Sequence, residues 1–313
     1  MKVLITGAYG FIGSNFVKYI LEKYTDYNII ILDKLTYAAN LDNLKDIQDN
    51  PRYKFVRGDI CDSELVNELI SNDVEFVINF AAETHVDRAI KDSSNFVQTN
   101  VCGTHVLLEA ARKFDVSKFL QISTDEVYGS RESGSFKELD LLEPNNPYSA
   151  SKAGADMITR SYNKTYGLFT LITRSSNNFG PHQHPEKFIP SIIINGLNDK
   201  EVRIYGDGLN IRDWLFVLDN CSAIDLVLHK GKKGETYNVG AGNEMTNIEI
   251  AKIILKELGR SNDLITFVED RLGHDRRYSL NIKKMSGLGW TPRESFSSAL
   301  KKTILWYQEN SKR

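Results

Sequence analysis

The stretch TGAYGFIGS, Thr6–Ser14, decides the fold. It follows the apolar, β-branched run KVLI at residues 2–5 and opens a helical pattern that continues to residue 24. Gly7, Gly10 and Gly13 stand where a strand turns into a helix. Such a junction needs glycine for a tight turn, for close approach of the backbone to a pyrophosphate, and for close helix–strand packing. The helix start then offers free amides and the positive end of its dipole to phosphate. The spacing is G-x-x-G-x-x-G rather than G-x-G-x-x-G, and three glycines alone also describe a plain turn. Asp33 strengthens the reading: it ends the second strand about 20 residues beyond the last glycine, where an acid accepts the adenosine ribose hydroxyls. Its charge repels a 2′-phosphate and favours NAD over NADP, with Lys34 beside it acting in the opposite sense. Asp59 closes KFVRGD (54–59), where the adenine would lie; the alternative is a residue in the N-cap region of the next helix.

Outward from this junction, short apolar runs alternate with longer helical patterns. KVLITG, NIIILD, YKFVRGD, FVINFAA, KFLQIST and FTLITRSS read as strands buried on both faces. The stretches FIGSNFVKYILEKY, DSELVNELIS, GTHVLLEAARKF and YSASKAGADMITRSYNKTYG read as helices. The alternation predicts an α/β fold, a doubly wound parallel Rossmann sheet, over residues 1–174. After Arg174 the texture changes. NNFGPHQHPEKFIP reads as a long ordered loop, and NIEIAKIILKELG and SFSSALKKTILWYQEN as helices without regular alternation. Residues 175–313 are therefore expected to form a smaller C-terminal α/β substrate-binding portion, with some segments returning to the sheet.

A net charge of −2 leaves no basic footprint, so no nucleic-acid partner is expected. No apolar stretch approaches the roughly 20 residues of a membrane span. The chain enters its first strand without the apolar region of a signal peptide, and its three cysteines are scattered. Both observations predict a cytoplasmic protein. His182 and His184 form an H-x-H without a nearby cysteine or third histidine, so no metal site is expected.

Two further stretches carry chemistry. YSASK puts Tyr148 and Lys152 four residues apart on one helical face. An ammonium near a phenol lowers the tyrosine pKa from about 10 and makes a base for an alcohol being oxidised. In ISTDEVYG (122–129), Asp125 and Glu126 follow a buried strand. Carboxylates there are either a solvated turn or an acid/base pair, and two in one desolvated cleft resist ionising together.

TGAYGFIGS, STDEVYG and YSASK together resemble the extended short-chain dehydrogenase/reductase family. The long segments LDKLTYAANLDNL, NFAAETHVDRAI, SSNNFGPHQHPEKFIP, YGDGLNIRDWLFVLDN and GHDRRYSLNIKK resemble its dTDP-glucose 4,6-dehydratase branch over essentially the whole chain. That resemblance implies NAD as cofactor, dTDP-glucose as substrate, a place in deoxysugar metabolism and a homodimer. The dimer would be built on helices near 103–114 and 148–166. The resemblance makes Tyr148 the base for the C4 hydroxyl, Thr124 its hydrogen-bonding partner, Glu126 the base at C5 and Asp125 the acid for the departing C6 hydroxyl. It adds Phe11, Ile12, Leu35, Thr36, Ile60, Phe80, Ala81, Ala82, Thr99 and Asn178 to the cofactor site. For the substrate it implies Thr84, Asn177, Lys187, Phe188, Ile189, Tyr205, Arg212, Asn247, Arg271 and His274, with Lys187 and Arg212 facing the diphosphate. Thr84 stands where the family commonly has serine, Leu272 where it often has proline, and Ala8 and Tyr9 depart from its small glycine-loop residues. The alternatives are a UDP-glucose 4,6-dehydratase, a UDP-hexose 4-epimerase, and a NAD-binding regulator without activity. The adjacent acids argue against the epimerase, and the retained Tyr148 and Lys152 against the regulator.

Overall fold

The structure, a computed structural model, describes residues 1–310. Twelve strands occur among them: β1 Lys2–Thr6, β2 Asn28–Asp33, β3 Tyr53–Arg57, β4 Phe76–Asn79, β5 Lys118–Thr124, β6 Thr170–Ser175, β7 Asn177–Phe179, β8 Val202–Tyr205, β9 Ile211–Phe216, β10 Thr236–Val239, β11 Glu244–Thr246 and β12 Ile265–Val268. Seven form one parallel sheet in the order β10-β6-β5-β4-β1-β2-β3. All six strands read from the sequence lie in it; five of the runs are largely apolar, and the half-exposed β3 forms the edge. The chain winds one way through β1, β2 and β3 and then reverses at β4. The cleft at this reversal, beyond the carboxyl ends of the strands, is where doubly wound sheets take ligands.

The helix Pro147–Tyr166 is well delimited. Asn146 caps it in a reciprocal box with Ser149, Pro147 occupies its first turn, and Gly167 closes it at φ 70°. Its Tyr148–Lys152 face is thereby turned into the cleft.

Beyond β6, two small sheets, β11-β9-β7 and β12-β8, pack with the helices Phe188–Leu197, Asn247–Glu257 and Phe296–Asn310. The expected long loop at 177–190 is instead interrupted. Asn177–Phe179 pairs with β9, and the helix from Phe188 begins before the proline. A three-residue polar strand carries no period of its own and is created only by its partner. The helix Val217–Lys230, continuous with β9, was not legible in the sequence. It packs against Phe11–Lys23, and β10 after it joins β6.

Of the two helices expected at the dimer seam, Thr104–Lys113 buries Leu107 and Leu108 in the core beneath the sheet, while Met157 and Tyr166 on Pro147–Tyr166 are exposed. Among the described residues no helix is long and apolar enough to cross a membrane.

Candidate active site

A cleft of about 310 Å³ runs along the carboxyl ends of β1, β2, β4 and β5. Gly7 adopts φ +64°, and a Cβ there would lie 2.6 Å from the Ala81 backbone. A Cβ on Gly13 would lie 2.5 Å from the Gly7 carbonyl oxygen. The loop thus needs glycine at both places, as a surface that receives a pyrophosphate does. Gly10 caps the helix Phe11–Lys23 without any side-chain hydrogen bond, so the first amides point at the cleft uncapped. Tyr9, unusual in such a loop, does not obstruct it: its ring packs edge-on to Phe55 and its hydroxyl meets that of Tyr53.

Asp33 ends β2 in the cleft, held by the amides of Tyr9 at 2.9 Å and Leu35 at 2.8 Å. Burial pushes its pKa up against those two bonds. Leu35 does not line the cleft; its part is this backbone bond, made from φ 58°. Lys34 is paired with Asp59 at 2.6 Å. Burial opposes the charge on Asp59, but Lys34 and the Cys61 amide outweigh it and hold the carboxyl below its usual range. Asp62, not Asp59, caps the next helix. Phe11, Ile12, Thr36, Ile60, Phe80, Ala81, Ala82, Thr99 and Asn178 all line the same cleft. A glycine cradle, an uncapped helix start and an acid at the end of β2 together fit a dinucleotide with a free ribose 2′-hydroxyl.

Thr124, Asp125, Glu126, Tyr148 and Lys152 converge at the inner end of the cleft. Thr124 ends β5 and caps a 3-10 turn, Asp125–Tyr128, its hydroxyl accepting from the Glu126 amide at 3.3 Å. The same hydroxyl lies 3.3 Å from Asp125 Oδ1. The second oxygens, Asp125 Oδ2 and Glu126 Oε2, are buried without a partner. Burial raises both carboxyl pKa values, Asp125 far more than Glu126. After burial, the Glu126 charge and Asp213 raise Asp125 against Arg212, whereas Arg271, Arg212 and Lys187 all relieve Glu126.

The expected lowering of the Tyr148 pKa is not what the geometry produces. Burial and the charges of Glu126 and Asp125 raise it, with the Thr124 hydroxyl acting against them. Lys152 Nζ donates to the Ile122 carbonyl at 2.6 Å, and burial lowers its own pKa to about 8. The lysine is thus tied to the backbone of β5 rather than committed to the phenol.

Of the residues expected on the substrate side, Thr84, Asn177 and Lys187 line the cleft, and Lys187 Nζ donates to the Thr84 carbonyl at 3.1 Å. Phe188 and Ile189 do not: Ile189 is fully buried and Phe188 stacks on Trp214. They form the wall behind Lys187. Tyr205, Arg212, Asn247, Arg271 and His274 lie beyond the cleft lining. Arg212 donates to the Asp275 carbonyl at 2.8 Å and lies over the Tyr278 ring, while Tyr205 meets His274 edge-on. Arg271 Nε is buried without a partner and its charge reaches Glu126. Asp213 and Asp275, whose charges reach the acid pair, were missed, since nothing in their spacing ties them to ISTDEVYG.

Comparison with known proteins closes the question of kinship. The family model described as GDP-mannose 4,6 dehydratase matches residues 4–303. A dTDP-glucose 4,6-dehydratase of Streptomyces antibioticus is 48% identical over 99% of this chain and 93% of its own. The low-salt glycan biosynthesis protein Agl12 of Haloferax volcanii is 52% identical over 98% of both chains. The crystal structure of DesIV, the dTDP-glucose 4,6-dehydratase of Streptomyces venezuelae with NAD and TYD bound, superposes at a TM-score of 0.98 with 47% identity, covering 100% of this chain and 98% of that one. The chain belongs to the dTDP-glucose 4,6-dehydratase family. Epimerases share the fold at lower identity, as the UDP-glucose 4-epimerase of Thermotoga maritima does at 29% and a TM-score of 0.92 over 99% of this chain and 100% of that one.

Proposed function

We propose that this protein converts dTDP-glucose to dTDP-4-keto-6-deoxyglucose with NAD as a resident cofactor. The observation that carries the reading is the buried, unequal pair Asp125–Glu126 beside Tyr148 in a cleft fitted to a dinucleotide. The chemistry NAD supplies when bound is a hydride acceptor for C4 and a hydride donor for C6.

Tyr148 takes the C4 hydroxyl proton while Thr124 orients that hydroxyl. Taking that proton requires Tyr148 to start as the phenolate, which the transfer neutralises; Lys152, charged below about pH 8, is the cation that favours the phenolate against the burial and acid charges that raise the phenol. Oxidation at C4 acidifies the C5 hydrogen, which Glu126 removes. Asp125 gives its proton to the C6 hydroxyl, which leaves as water. Glu126 then returns its proton to C5. Arg271, Arg212 and Lys187 relieve the charge on Glu126 against its burial, and Lys187 and Arg212 face the diphosphate of the substrate. Burial, the Glu126 charge and Asp213 raise the Asp125 carboxyl well above its usual range, the direction the acid's role needs. The natural setting is the cytoplasm, and the working form a homodimer formed around the exposed Met157 and Tyr166.

The test is turnover of dTDP-glucose and UDP-glucose by the purified protein, followed by the alkaline absorbance of the 4-keto-6-deoxy product. Preferential turnover of dTDP-glucose without added NAD is expected. Preference for UDP-glucose would replace the substrate reading, and dTDP-galactose as sole product would establish an epimerase.

A further inference from the structure

Three chain segments meet over the dinucleotide cleft, and residues next to its lining tie them together. Thr36 and Ala38 after β2, Thr84 after β4, and His184 and Lys187 after β7 face the cleft. Interleaved with them, Tyr37, His85, Arg88 and Glu186 join one another. Glu186 lies 3.4 Å from His85 Nε2, 3.7 Å from Arg88 and 3.6 Å from His184 Nδ1. The Arg88 guanidinium lies 3.5 Å over the Tyr37 ring. The Tyr37 hydroxyl is buried without a formal hydrogen bond and feels the Glu186 charge. Glu186 is therefore the hub through which the 180–187 loop is bound to segments from the opposite rim.

An isolated surface ion pair contributes little. Here burial lowers the His85 pKa, so that ring meets Glu186 as a polar contact and Arg88 carries the charge; the Glu186 side chain is only 19% exposed, and Arg88 adds a stacked cation–π contact. Nothing in the chemistry assigned above uses Glu186, Arg88 or Tyr37. We propose that Glu186, Arg88, Tyr37 and His85 form a clasp that retains the dinucleotide in its cleft. The proposal rests on the NAD reading. A reaction that ends with its cofactor in the starting oxidation state needs no exchange between turnovers, so a closed rim costs it nothing.

The test measures NAD retained after gel filtration of the full-length protein, and the rate at which NAD is released on dilution. Glu186→Gln and Arg88→Ala are expected to release NAD about tenfold faster than wild type, equivalent to about 1.4 kcal/mol. Arg88→Lys is expected to fall between Arg88→Ala and wild type, since it keeps the charge and loses the planar stacking. Release at the wild-type rate from cooperatively folded Glu186→Gln and Arg88→Ala overturns the clasp. Arg88, half exposed, carries the test alone if Glu186→Gln does not fold. Wild-type protein that neither carries nor binds NAD overturns the dinucleotide reading and the clasp with it. Retention by wild type and variants alike overturns the clasp alone.

Discussion

Asp125 and Glu126 share one 3-10 turn and one cleft, yet more cations surround Glu126 than Asp125. Glu126 faces Arg271, Arg212 and Lys187, whereas Asp125 has the Glu126 charge and Asp213 against Arg212. Burial raises both carboxyls, that of Asp125 well above its usual value, so the two resist ionising together. The difference comes from β9 and the 271–275 loop, distant in sequence from both acids.

The two acids are expected to fail differently when changed. Glu126→Gln should lower product formation by about 100-fold or more while substrate still reduces the nicotinamide. Asp125→Asn should lower it similarly, yet still exchange the C5 hydrogen with solvent deuterium. Mass spectrometry of recovered substrate separates the two. Wild-type product formation in either variant contradicts the assignment.

Stability should depend on pH through the same pair. The Asp125 carboxyl is raised in the folded protein, so its favourable contribution is full below the unfolded value near 4 and is lost as pH rises through the folded value. Asp125→Asn removes that loss. It is expected to be more stable than wild type by about 1 kcal/mol or more at neutral pH, since each pKa unit is worth about 1.4 kcal/mol. At pH 4 the two should unfold alike in parallel denaturant titrations. A variant less stable than wild type at neutral pH would show that the buried charge is compensated.

Gly13→Ala tests the cradle. Its Cβ would press on the Gly7 carbonyl and on Ala8 Cα, both backbone. Overpacking of this kind costs about 1–3 kcal/mol. The expected result is a lowered melting temperature together with loss of copurified NAD. Retention of NAD would mean that the loop can shift without opening.

Cofactor choice depends on the Lys34–Asp59 pair. With Asp59 present, the lysine is engaged at 2.6 Å, and Asp33 alone meets the ribose edge. Asp59→Asn is expected to free Lys34 and narrow the preference for NAD over NADP by severalfold, more so when combined with Asp33→Ser. Competition binding of the two cofactors to stripped protein measures it. An unchanged ratio in the double variant would show that neither acid sets the choice.

Much of this was legible locally. β1, β2, β4, β5 and β6 are recognisable because strands buried on both faces must be apolar throughout. The helix 147–166 is legible through its pattern and the closing Gly167, so the placement of Tyr148 and Lys152 on one face follows from helical periodicity. Three-residue β7 is different: Asn-Asn-Phe has no propensity for a strand and acquires one only from β9. Phe188 and Ile189, expected on the substrate side, lie behind the cleft lining at the start of a helix, a placement that spacing along the chain does not give.

The sequence by itself determined the doubly wound sheet, the glycine cradle, and the presence of a tyrosine, a lysine and two acids at strand and helix ends. These are properties of neighbours along the chain, where periodicity, caps and glycine geometry act. Only the tertiary structure decided which charges surround each acid, that Lys34 is paired with Asp59, and that Lys152 bonds the Ile122 carbonyl. Those outcomes depend on burial and on charges brought from distant strands, and electrostatic energy in a desolvated cleft follows distance in space, which spacing along the chain does not specify.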